Sequence, residues 1–308
     1  MKPIIRIGTR GSKLALWQAN WVKSQLTTKN PTIEVLIQTI KTQGDKILDV
    51  PLANVGGKGL FVKEIEQSLL DNEIDIAVHS LKDMPAEIPD GLCIIAIPER
   101  EDPNDVMISL DHQKLLDLPM GAKIGTSSLR RSAQLNYFRK DLQVLSLRGN
   151  IDTRLKKLET EHLDAVILAA AGVKRLGLEY RITERLSHEL MLPAVGQGAL
   201  CIESRQNDKT IASYVQFLNH KPSELAVFAE RAFLKQLGGS CQIPIAAYAT
   251  IEQQSITITG LVCNINGTQL IKDTVSGGME QAEHIGIQLA TRLLQQGAAS
   301  ILESIKHA

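Results

Sequence analysis

Short apolar runs alternate with longer amphipathic stretches through the first third of this chain. The runs have the length of strands and the stretches have the period of helices, in the order β-α-β-α-β, over residues 4–7, 13–28, 33–40, 58–70 and 74–78. Because consecutive parallel strands need a helical crossover, this order predicts a largely parallel, doubly wound α/β sheet with helices on both faces. A ligand crevice is expected at the carboxyl ends of its strands.

The same alternation begins again after a charged crossing with prolines at residues 98–103. It predicts a second α/β domain, with elements over residues 123–125, 128–138, 143–147, 151–161 and 165–168. Two short sequences also repeat, since Gly8-Thr9 and Gly125-Thr126 both follow a strand and open a helix, and Asp75 and Asp164 both begin a strand. The repeats indicate two similar lobes, although sequences this short also agree by chance.

A glycine-rich passage at residues 193–198 leads into an apolar run, 199–203, that we expect to return to the first sheet. Two crossings between the lobes predict a hinge. The tail from residue 222 predicts a small α+β domain, with a helix, three β-rich runs over 245–251, 256–264 and 269–275, and a helix over 280–296. The expected domains are residues 1–98 with 199–219, residues 99–198, and residues 220–308.

The charges of the chain balance, with 34 Lys and Arg against 34 Asp and Glu among 308 residues. This balance argues against a nucleic-acid binder, so any anion site must be local. No apolar stretch near the amino terminus resembles a signal peptide, and none in the chain is long enough to span a bilayer. We therefore expect a cytoplasmic protein.

The four cysteines show neither the close pairing of a zinc or redox motif nor the density of a disulfide framework, so no metal site is expected. Cys93, Cys201 and Cys263 lie in apolar runs, where a small buried side chain is the simplest interpretation. Cys241 differs, because it lies in the sequence Gly238-Gly239-Ser240-Cys241-Gln242.

Two turns offer backbone amides and hydroxyl groups at the start of a helix. Ser12 follows the first strand, and Ser127 and Ser128 follow the strand at residues 123–125. Such turns bind carboxylate or phosphate, although the serines would serve equally as helix caps. Arginines near predicted loops or helix starts favour an anion site, because a guanidinium binds a carboxylate through two hydrogen bonds. They are Arg10, Arg130, Arg131, Arg148, Arg154 and Arg175. Together they indicate a small polyanionic ligand.

Asp83 follows the strand at residues 74–78. Its carboxylate is therefore expected at the sheet edge where the strands end, beside the turn at Ser12. A carboxylate beside several arginines stays ionised and can stabilise a developing cation or transfer protons, whereas an isolated one is more often a turn residue. His79 is interpreted as a strand-end residue, because no second metal-binding residue stands at a suitable spacing.

Lys58 and Phe61 adjoin a glycine cluster of the kind that lids contain, so both are lid candidates. The glycine motifs near residues 56 and 196 lack the residues of a P-loop or a dinucleotide fingerprint. No nucleotide cofactor is therefore indicated.

Seven separated sequences together resemble the porphobilinogen deaminase family. They are Gly8-Thr9-Arg10-Gly11-Ser12 with Leu14-Ala15-Leu16-Trp17-Gln18-Ala19, Val55-Gly56-Gly57-Lys58-Gly59-Leu60-Phe61, His79-Ser80-Leu81-Lys82-Asp83, Gly125-Thr126-Ser127-Ser128-Leu129-Arg130-Arg131, Leu147-Arg148-Gly149-Asn150, Pro193-Ala194-Val195-Gly196-Gln197-Gly198, and Glu230-Arg231 leading to Gly239-Ser240-Cys241-Gln242-Ile243-Pro244. The agreement runs through nearly the whole chain and is too extensive for chance.

The resemblance implies two periplasmic-binding-protein-like (type II) doubly wound lobes that are joined by a hinge and enclose the site. A small C-terminal α+β domain with a three-stranded antiparallel sheet would complete the fold. The resemblance also implies a dipyrromethane cofactor, built from substrate and attached to Cys241 through a thioether. It would act as the primer to which four porphobilinogen units are added with release of ammonia, before hydrolysis releases the linear tetrapyrrole.

Asp83 carries over as the catalytic group, which protonates the leaving amine and stabilises the resulting pyrrole cations. By this resemblance, the residues that would bind the cofactor are Cys241, Ser80, Lys82, Thr126, Ser128, Arg130 and Arg131. The residues carried over to the substrate are Arg10, Ser12, Gln18, Arg148, Arg154, Arg175 and Gln197. The expected enzyme is a transferase of porphyrin and haem biosynthesis.

The sequence leaves two alternatives to this enzyme. The first is a non-catalytic hinged binder of small polycarboxylates, which the arginines alone would also suit. The second, more distant, is a nucleic-acid binder, whose affinity would depend steeply on salt. A monomer is expected, because no coiled-coil pattern or apolar surface stripe argues against one.

Overall fold

A computed structural model describes residues 2–46, 59–239 and 243–306. These residues form two compact units. Unit 1 contains residues 2–46, 59–101 and 199–224, and unit 2 contains residues 102–198, 225–239 and 243–306. The finer division into three domains stays a prediction, and so does the hinge.

The secondary structure alternates as the sequence predicts. The strands are β1 Ile4–Thr9, β2 Glu34–Thr39, β3 Ile76–Ser80, β4 Leu92–Ala96, β5 Asp105–Ser109, β6 Lys123–Gly125, β7 Gln143–Leu145, β8 Ala165–Ala169, β9 Glu184–Arg185, β10 Leu200–Arg205, β11 Ile245–Glu252, β12 Ser255–Cys263 and β13 Leu270–Gly278. The helices are α1 Lys13–Lys29, α2 Gln43–Lys46, α3 Lys63–Leu70, α4 Leu129–Phe138, α5 Ile151–Thr160, α6 Ala170–Arg175, α7 Lys209–Val215, α8 Lys221–Gln236, α9 Ala282–Leu293 and α10 Ala299–Lys306. Side-chain oxygens of Ser12, Ser128, Asn150 and Asp208 accept backbone N–H groups at the starts of α1, α4, α5 and α7, which fixes where these helices begin.

Unit 1 contains a five-stranded sheet in the order β2-β1-β3-β10-β4. β1 pairs in parallel with β2 and β3, whereas β10 is antiparallel to β3 and β4. The predicted return of the run at 199–203 to the first sheet is therefore confirmed. α1 and α7 pack on one face of the sheet and α3 on the other, so both faces are covered and the central strands are buried.

Unit 2 contains a second five-stranded sheet in the order β7-β6-β8-β5-β9. β6 is parallel to β7 and β8, and β5 is antiparallel to β8 and β9. The two sheets thus share one arrangement. A central parallel strand, β1 or β6, lies between two parallel neighbours, β2 and β3 or β7 and β8. An antiparallel strand, β10 or β5, follows, and then an outer strand, β4 or β9. The antiparallel strand is the last of unit 1 along the chain, β10, and the first of unit 2, β5.

The C-terminal part of unit 2 is an antiparallel sheet in the order β11-β12-β13 with helices packed on one face. Phe233 of α8 and Leu289 of α9 lie in its core with Ile258 of β12. The fold class expected from the sequence is confirmed, with two type II α/β lobes and a small α+β part that contains a three-stranded antiparallel sheet.

The C-terminal sheet also shares a core with the rest of unit 2. Ala133 of α4 and Leu192 pack against Ala246, Leu261 and Cys263 of β11 and β12, and all five are buried. The residues predicted for two domains therefore have a common apolar interior.

Two helices differ from the prediction. α3 begins at Lys63 rather than at residue 58, since Gly59 has a φ of 77°, which a right-handed helix excludes. The predicted helix at 280–296 ends earlier, at Leu293, and a turn through Gly297 with a φ of 109° separates it from α10, which the sequence analysis does not predict. In the described part of the chain, no helix is both long and apolar enough to cross a membrane.

Candidate functional site

The carboxyl ends of β1 and β3 meet at one edge of the sheet in unit 1, as the sequence predicts. Ser12 follows β1 and caps α1, where its Oγ accepts the N–H of Ala15 at 3.2 Å. Ser80 ends β3, and its Oγ accepts a hydrogen bond from Nε2 of Gln18 at 2.8 Å. The structure therefore brings together two side chains predicted to bind ligand, Gln18 and Ser80.

Asp83 lies in the 3₁₀ turn Leu81–Asp83, directly after β3. Leu81 and Met84 are buried, and the N–H of Met84 donates to the carbonyl of Leu81 at 3.0 Å. This anchored turn leaves Lys82 and Asp83 half-buried. Among the residues that the structure describes, none forms a hydrogen bond or ion pair with the Asp83 carboxylate.

Arg10 binds a carboxylate of its own unit. Its Nε donates to Oδ1 of Asp45 at 3.1 Å, and its guanidinium carbon lies 4.2 Å from the ring centroid of Phe61. Burial alone would raise the pKa of Asp45, but the hydrogen bonds and the charge of Arg10 hold that pKa below its ordinary value. The predicted substrate-binding Arg10 and the lid candidate Phe61 thus lie side by side.

A cluster of titratable side chains is buried between the sheet of unit 1 and α3. Nε2 of His79 on β3 lies 3.0 Å from Oε2 of Glu203 on β10, and their side chains are 4% and 0% exposed. Burial, and next the negative charge of Glu203, raise the pKa of Glu66 on α3 to about 7. His79 lies near the end of a strand as expected, but its partners are remote in sequence and the sequence analysis missed them.

The equivalent edge of the sheet in unit 2 carries Thr126 and Ser128, between β6 and α4. Oγ1 of the buried Thr126 accepts the N–H of Ser128 at 3.2 Å, and Oγ of Ser128 accepts the N–H of Arg131 at 3.4 Å. Both hydroxyls serve the turn, so the capping role considered for Ser128 is confirmed. Their role toward a cofactor stays a prediction.

Asp105, at the start of β5, binds both predicted cofactor arginines inside unit 2. Arg130 donates from Nη1 to Oδ2 at 2.7 Å, and Arg131 donates from Nε and Nη2 to Oδ1 at 2.9 and 2.7 Å. Gln197 donates from Nε2 to the same Oδ1 at 3.0 Å. Asp105 is 0% exposed and each arginine 5%.

The charges of this cluster do not cancel. Burial alone would raise the pKa of Asp105, but the charges of Arg130 and Arg131 hold that pKa well below its ordinary value. One carboxylate therefore lies between two guanidinium groups, and these described residues carry an excess of one positive charge. Burying an unbalanced charge costs free energy.

The other predicted arginines of unit 2 lie on three separate segments. Arg148 follows β7 and is half-buried. Arg154, in the first turn of α5, donates from Nε to the carbonyl of Gly149 at 2.9 Å. Arg175 ends α6, where a loop begins, and donates from Nη2 to the carbonyl of Gly198 at 2.8 Å. A cation at a helix C-terminus is favoured by the helix dipole.

Two predicted residues, Lys58 and Cys241, lie outside the described residues. Within the described ranges, no group of three His, Cys, Asp or Glu side chains is placed to hold a metal ion.

The sequence analysis missed four carboxylates that bind or neighbour the predicted groups: Asp45, Glu66, Asp105 and Glu203. Of these four, only Asp105 could have been found from the sequence pattern. It opens an apolar run at β5, as Asp75 and Asp164 open β3 and β8. Recognising this third run would have predicted β5 and placed an acidic residue at its start.

Comparison with solved structures finds weak similarity. A periplasmic binding protein from Salmonella typhimurium with high arginine specificity is 14% identical, with a TM-score of 0.40 over 72% of this chain and 94% of the other. A probable extracellular amino-acid-binding protein of a Bacillus subtilis transporter is 12% identical, with a TM-score of 0.41 over 71% of this chain and 90% of the other.

Comparison of sequences gives a much closer agreement. Residues 5–213 match the model of the dipyrromethane cofactor-binding domain of porphobilinogen deaminase, and residues 224–295 match the model of its C-terminal domain. The porphobilinogen deaminase of Pelobacter propionicus is 54% identical over 98% of this chain and 97% of its own length. That of Geobacter metallireducens is 55% identical over 98% of this chain and 94% of its own length. The chain therefore belongs to the porphobilinogen deaminase family.

Proposed function

We propose that this chain joins porphobilinogen units head to tail on a dipyrromethane primer held by Cys241. Each addition releases ammonia, and hydrolysis finally releases the linear tetrapyrrole. The observation that carries the proposal is the match of two successive family models, over residues 5–213 and 224–295. A non-catalytic binder of polycarboxylates is not favoured, because the similar curated proteins are deaminases.

The donors described in unit 2 suit a cofactor that carries carboxylates. The excess positive charge beside Asp105 is balanced when a carboxylate binds near Arg130 and Arg131. We assign these arginines to the cofactor, together with Ser80, Lys82, Thr126 and Ser128. When bound, the dipyrromethane supplies the pyrrole carbon to which the first unit is joined.

Arg10 is assigned to a substrate carboxylate, and its contact with Asp45 supports this role. The guanidinium already binds a carboxylate in the structure, and the ring of Phe61 lies against it. A substrate carboxylate exchanging with Asp45 would keep the same kind of ion pair. The other residues assigned to the substrate are Ser12, Gln18, Arg148, Arg154, Arg175 and Gln197.

Asp83 is assigned to the chemistry of the leaving amine. Its carboxylate has no partner in the described ranges of the chain and lies at the end of a strand beside Lys82. A carboxylate in this position can hold the proton that departs with ammonia and, once ionised, can stabilise the cation that remains. Its position on an anchored turn limits the reorganisation that this requires.

The first experiment is the intact mass of the purified protein, followed by peptide mapping. We expect an added mass equal to a dipyrromethane on the peptide that contains Cys241. If the protein is unmodified, it is incubated with porphobilinogen and its intact mass is measured again. Persistent absence of an adduct on that peptide would contradict the proposed attachment.

The second experiment compares Asp83→Asn with Asp90→Asn, a control at an exposed position shortly after the same turn. We expect Asp83→Asn to reduce product formation per cofactor-loaded molecule by about 100-fold or more, because the amide cannot hold the transferred proton. Asp90→Asn should match the wild type. Equal rates in all three proteins would remove Asp83 from the mechanism.

We further propose that the enzyme acts as a cytoplasmic monomer without nucleic acid. The balanced charge of the chain supports the last point, because 34 cationic side chains face 34 anionic ones. Light scattering of the loaded protein tests the monomer, and a dimer mass would contradict it.

A further inference from the structure

Glu230 is a fully buried carboxylate on α8, with 0% exposure. Its buried neighbours along the helix are apolar and include Val227, Ala229 and Phe233. Burying a carboxylate costs several kcal/mol unless it is paired or hydrogen-bonded. Helix packing alone would be served better by an apolar side chain, so the contacts of Glu230 must explain its presence.

The two oxygens of Glu230 join two remote segments of unit 2. Oε1 accepts the backbone N–H of Ala249 on β11 at 2.9 Å, and Oε2 accepts the backbone N–H of Gly196 at 2.7 Å. β11 is an edge strand of its sheet, so Ala249 has no neighbouring strand on its outer side. Gly196 has a φ of 70°, a conformation in which most residues are strained.

The passage that Glu230 holds carries two further contacts in unit 2. Gln197 donates from Nε2 to the carbonyl of Pro103 at 2.7 Å and to Asp105 at 3.0 Å. The carbonyl of Gly198 accepts from Arg175 at 2.8 Å. Residues 197 and 198 therefore contact both Asp105, which binds Arg130 and Arg131, and the guanidinium of Arg175.

We propose that Glu230 is a positioning residue for the reaction. It fixes residues 196–198 and, through Gln197 and Asp105, sets the orientation of the Arg130 and Arg131 guanidinium groups. Through Gly198 it also sets the orientation of Arg175. The inference rests on the proposed function, since it concerns groups assigned to cofactor and substrate. It adds to that function a residue that touches neither.

A purely structural role makes a different prediction from a positioning role. If Glu230 only stabilises the fold, its replacement lowers the yield of folded protein, and every cofactor-loaded molecule still works at the normal rate. If Glu230 positions the arginines, loaded molecules themselves become slow, because misplacing a binding group by about 1 Å can cost up to about 100-fold in rate. The rate per loaded molecule therefore separates the two roles.

The test uses Glu230→Gln in the full chain, loaded with cofactor and quantified by intact mass. The amide keeps the shape, but its NH2 group must face the N–H of either Gly196 or Ala249, so one donor loses its acceptor. We expect kcat/KM per loaded molecule to fall about tenfold or more. Partly extended products should accumulate on the protein and be visible by mass when substrate is limiting.

The matched control is Glu283→Gln, at an exposed position on α9 of the same unit. It should retain the wild-type rate and the wild-type distribution of products. If Glu230→Gln yields no loaded protein, Glu230→Asp is measured in the same way, because it keeps the charge and shortens the reach. An unchanged rate and distribution per loaded molecule would overturn the proposal, as would failure of both variants to load. Failure of the wild type to turn over porphobilinogen would instead contradict the proposed function.

Discussion

At the scale of single residues, Asp105 is the carboxylate at the centre of a buried ion-pair cluster in unit 2. It is 0% exposed and accepts hydrogen bonds from Arg130, Arg131 and Gln197. If it became neutral, two buried guanidinium groups would lose the one ionised carboxylate that contacts both among the residues described. Asp105 is therefore expected to matter for stability before it matters for catalysis.

We predict that Asp105→Asn lowers the free energy of unfolding by about 3 to 5 kcal/mol, the cost of breaking a buried ion pair from one side. Denaturant unfolding followed by circular dichroism measures the change. Asp273→Asn is the control, because Asp273 pairs with the half-exposed Arg292 on the surface. A similar, small effect of both substitutions would show that the buried cluster adds little.

Glu66 makes the stability of unit 1 depend on pH. Burial and the nearby Glu203 raise its pKa to about 7 from an ordinary value of 4.5, and His79 and Lys63 oppose that rise. Between these two values the folded chain holds a proton that the unfolded chain has released. The contribution of Glu66 to the free energy of unfolding therefore falls as the pH rises through this window, and it levels off above it.

We predict that Glu66→Gln weakens this dependence on pH, because the amide cannot ionise. Unfolding by urea at several pH values between about 5 and 8 gives the two profiles. Glu34→Gln, at an exposed position on β2, should keep the wild-type profile. Parallel profiles for the wild type and Glu66→Gln would show that Glu66 is not the group responsible.

At the scale of elements, the short repeats in the sequence have a common structural cause. The carboxylate of Asp75 accepts the N–H of Arg6 on β1 at 2.8 Å, and that of Asp164 accepts the N–H of Lys123 on β6 at 2.6 Å. Each aspartate also donates its own N–H to the carbonyl of the same residue, at 2.9 Å in both units. Each thus fastens the third strand of its sheet to the first, so the two aspartates of the repeat have the same structural role.

Much of the fold could be predicted because its elements carry local signals. Apolar periodicity and the caps at Ser12 and Ser128 mark the helices near where they occur. The strand β9 has two residues, Glu184 and Arg185, and no apolar pattern, so it could not be predicted. It exists because β5 offers it a free edge.

The candidate site was only partly predictable for the same reason. Asp83 and Ser80 follow a strand that the sequence makes obvious, so their place at the sheet edge could be inferred. The partner of Arg130 is 25 residues away, and the partner of His79 is 124 residues away. One sequence carries no signal for such pairings.

The helices of the C-terminal part pack closely at Gly286 of α9. A Cβ atom at this position would collide with the carbonyl oxygen of Ala229 on α8, which is backbone and cannot rotate away. We predict that Gly286→Ala lowers the free energy of unfolding by about 1 to 3 kcal/mol through overpacking, despite the higher helix propensity of alanine. Thermal unfolding measures this, with the exposed Gln288→Ala on the same helix as control. A stabilised Gly286→Ala protein would contradict the close approach.

At the scale of the whole molecule, the two parts of unit 2 that the sequence assigns to separate domains share a buried apolar cluster. Leu261 of β12 is 1% exposed and packs with Ala133 and Leu192 from the other part. A contiguous core of this kind couples the folding of both parts. The two parts should therefore open together rather than separately.

We predict that Leu261→Ala lowers stability by about 2 to 5 kcal/mol and speeds amide hydrogen exchange both in the C-terminal sheet and in α4. Hydrogen exchange with mass spectrometry locates the change. Ile287→Ala, at a position that is 40% exposed on α9, is the control and should alter neither. Faster exchange confined to residues 245–278 would mean that the two parts unfold independently.

The place of β10 in the sheet of unit 1 has a consequence for synthesis on the ribosome. β10 lies between β3 and β4, yet it is translated after all five strands of the other sheet. Until residues 200–205 emerge, the nascent chain displays β3 with an open edge and β4 with no neighbour at all. Open edges invite association between chains, and distant pairings close slowly. We therefore expect the nascent chain to be most prone to association between chains while residues 97–199 are translated.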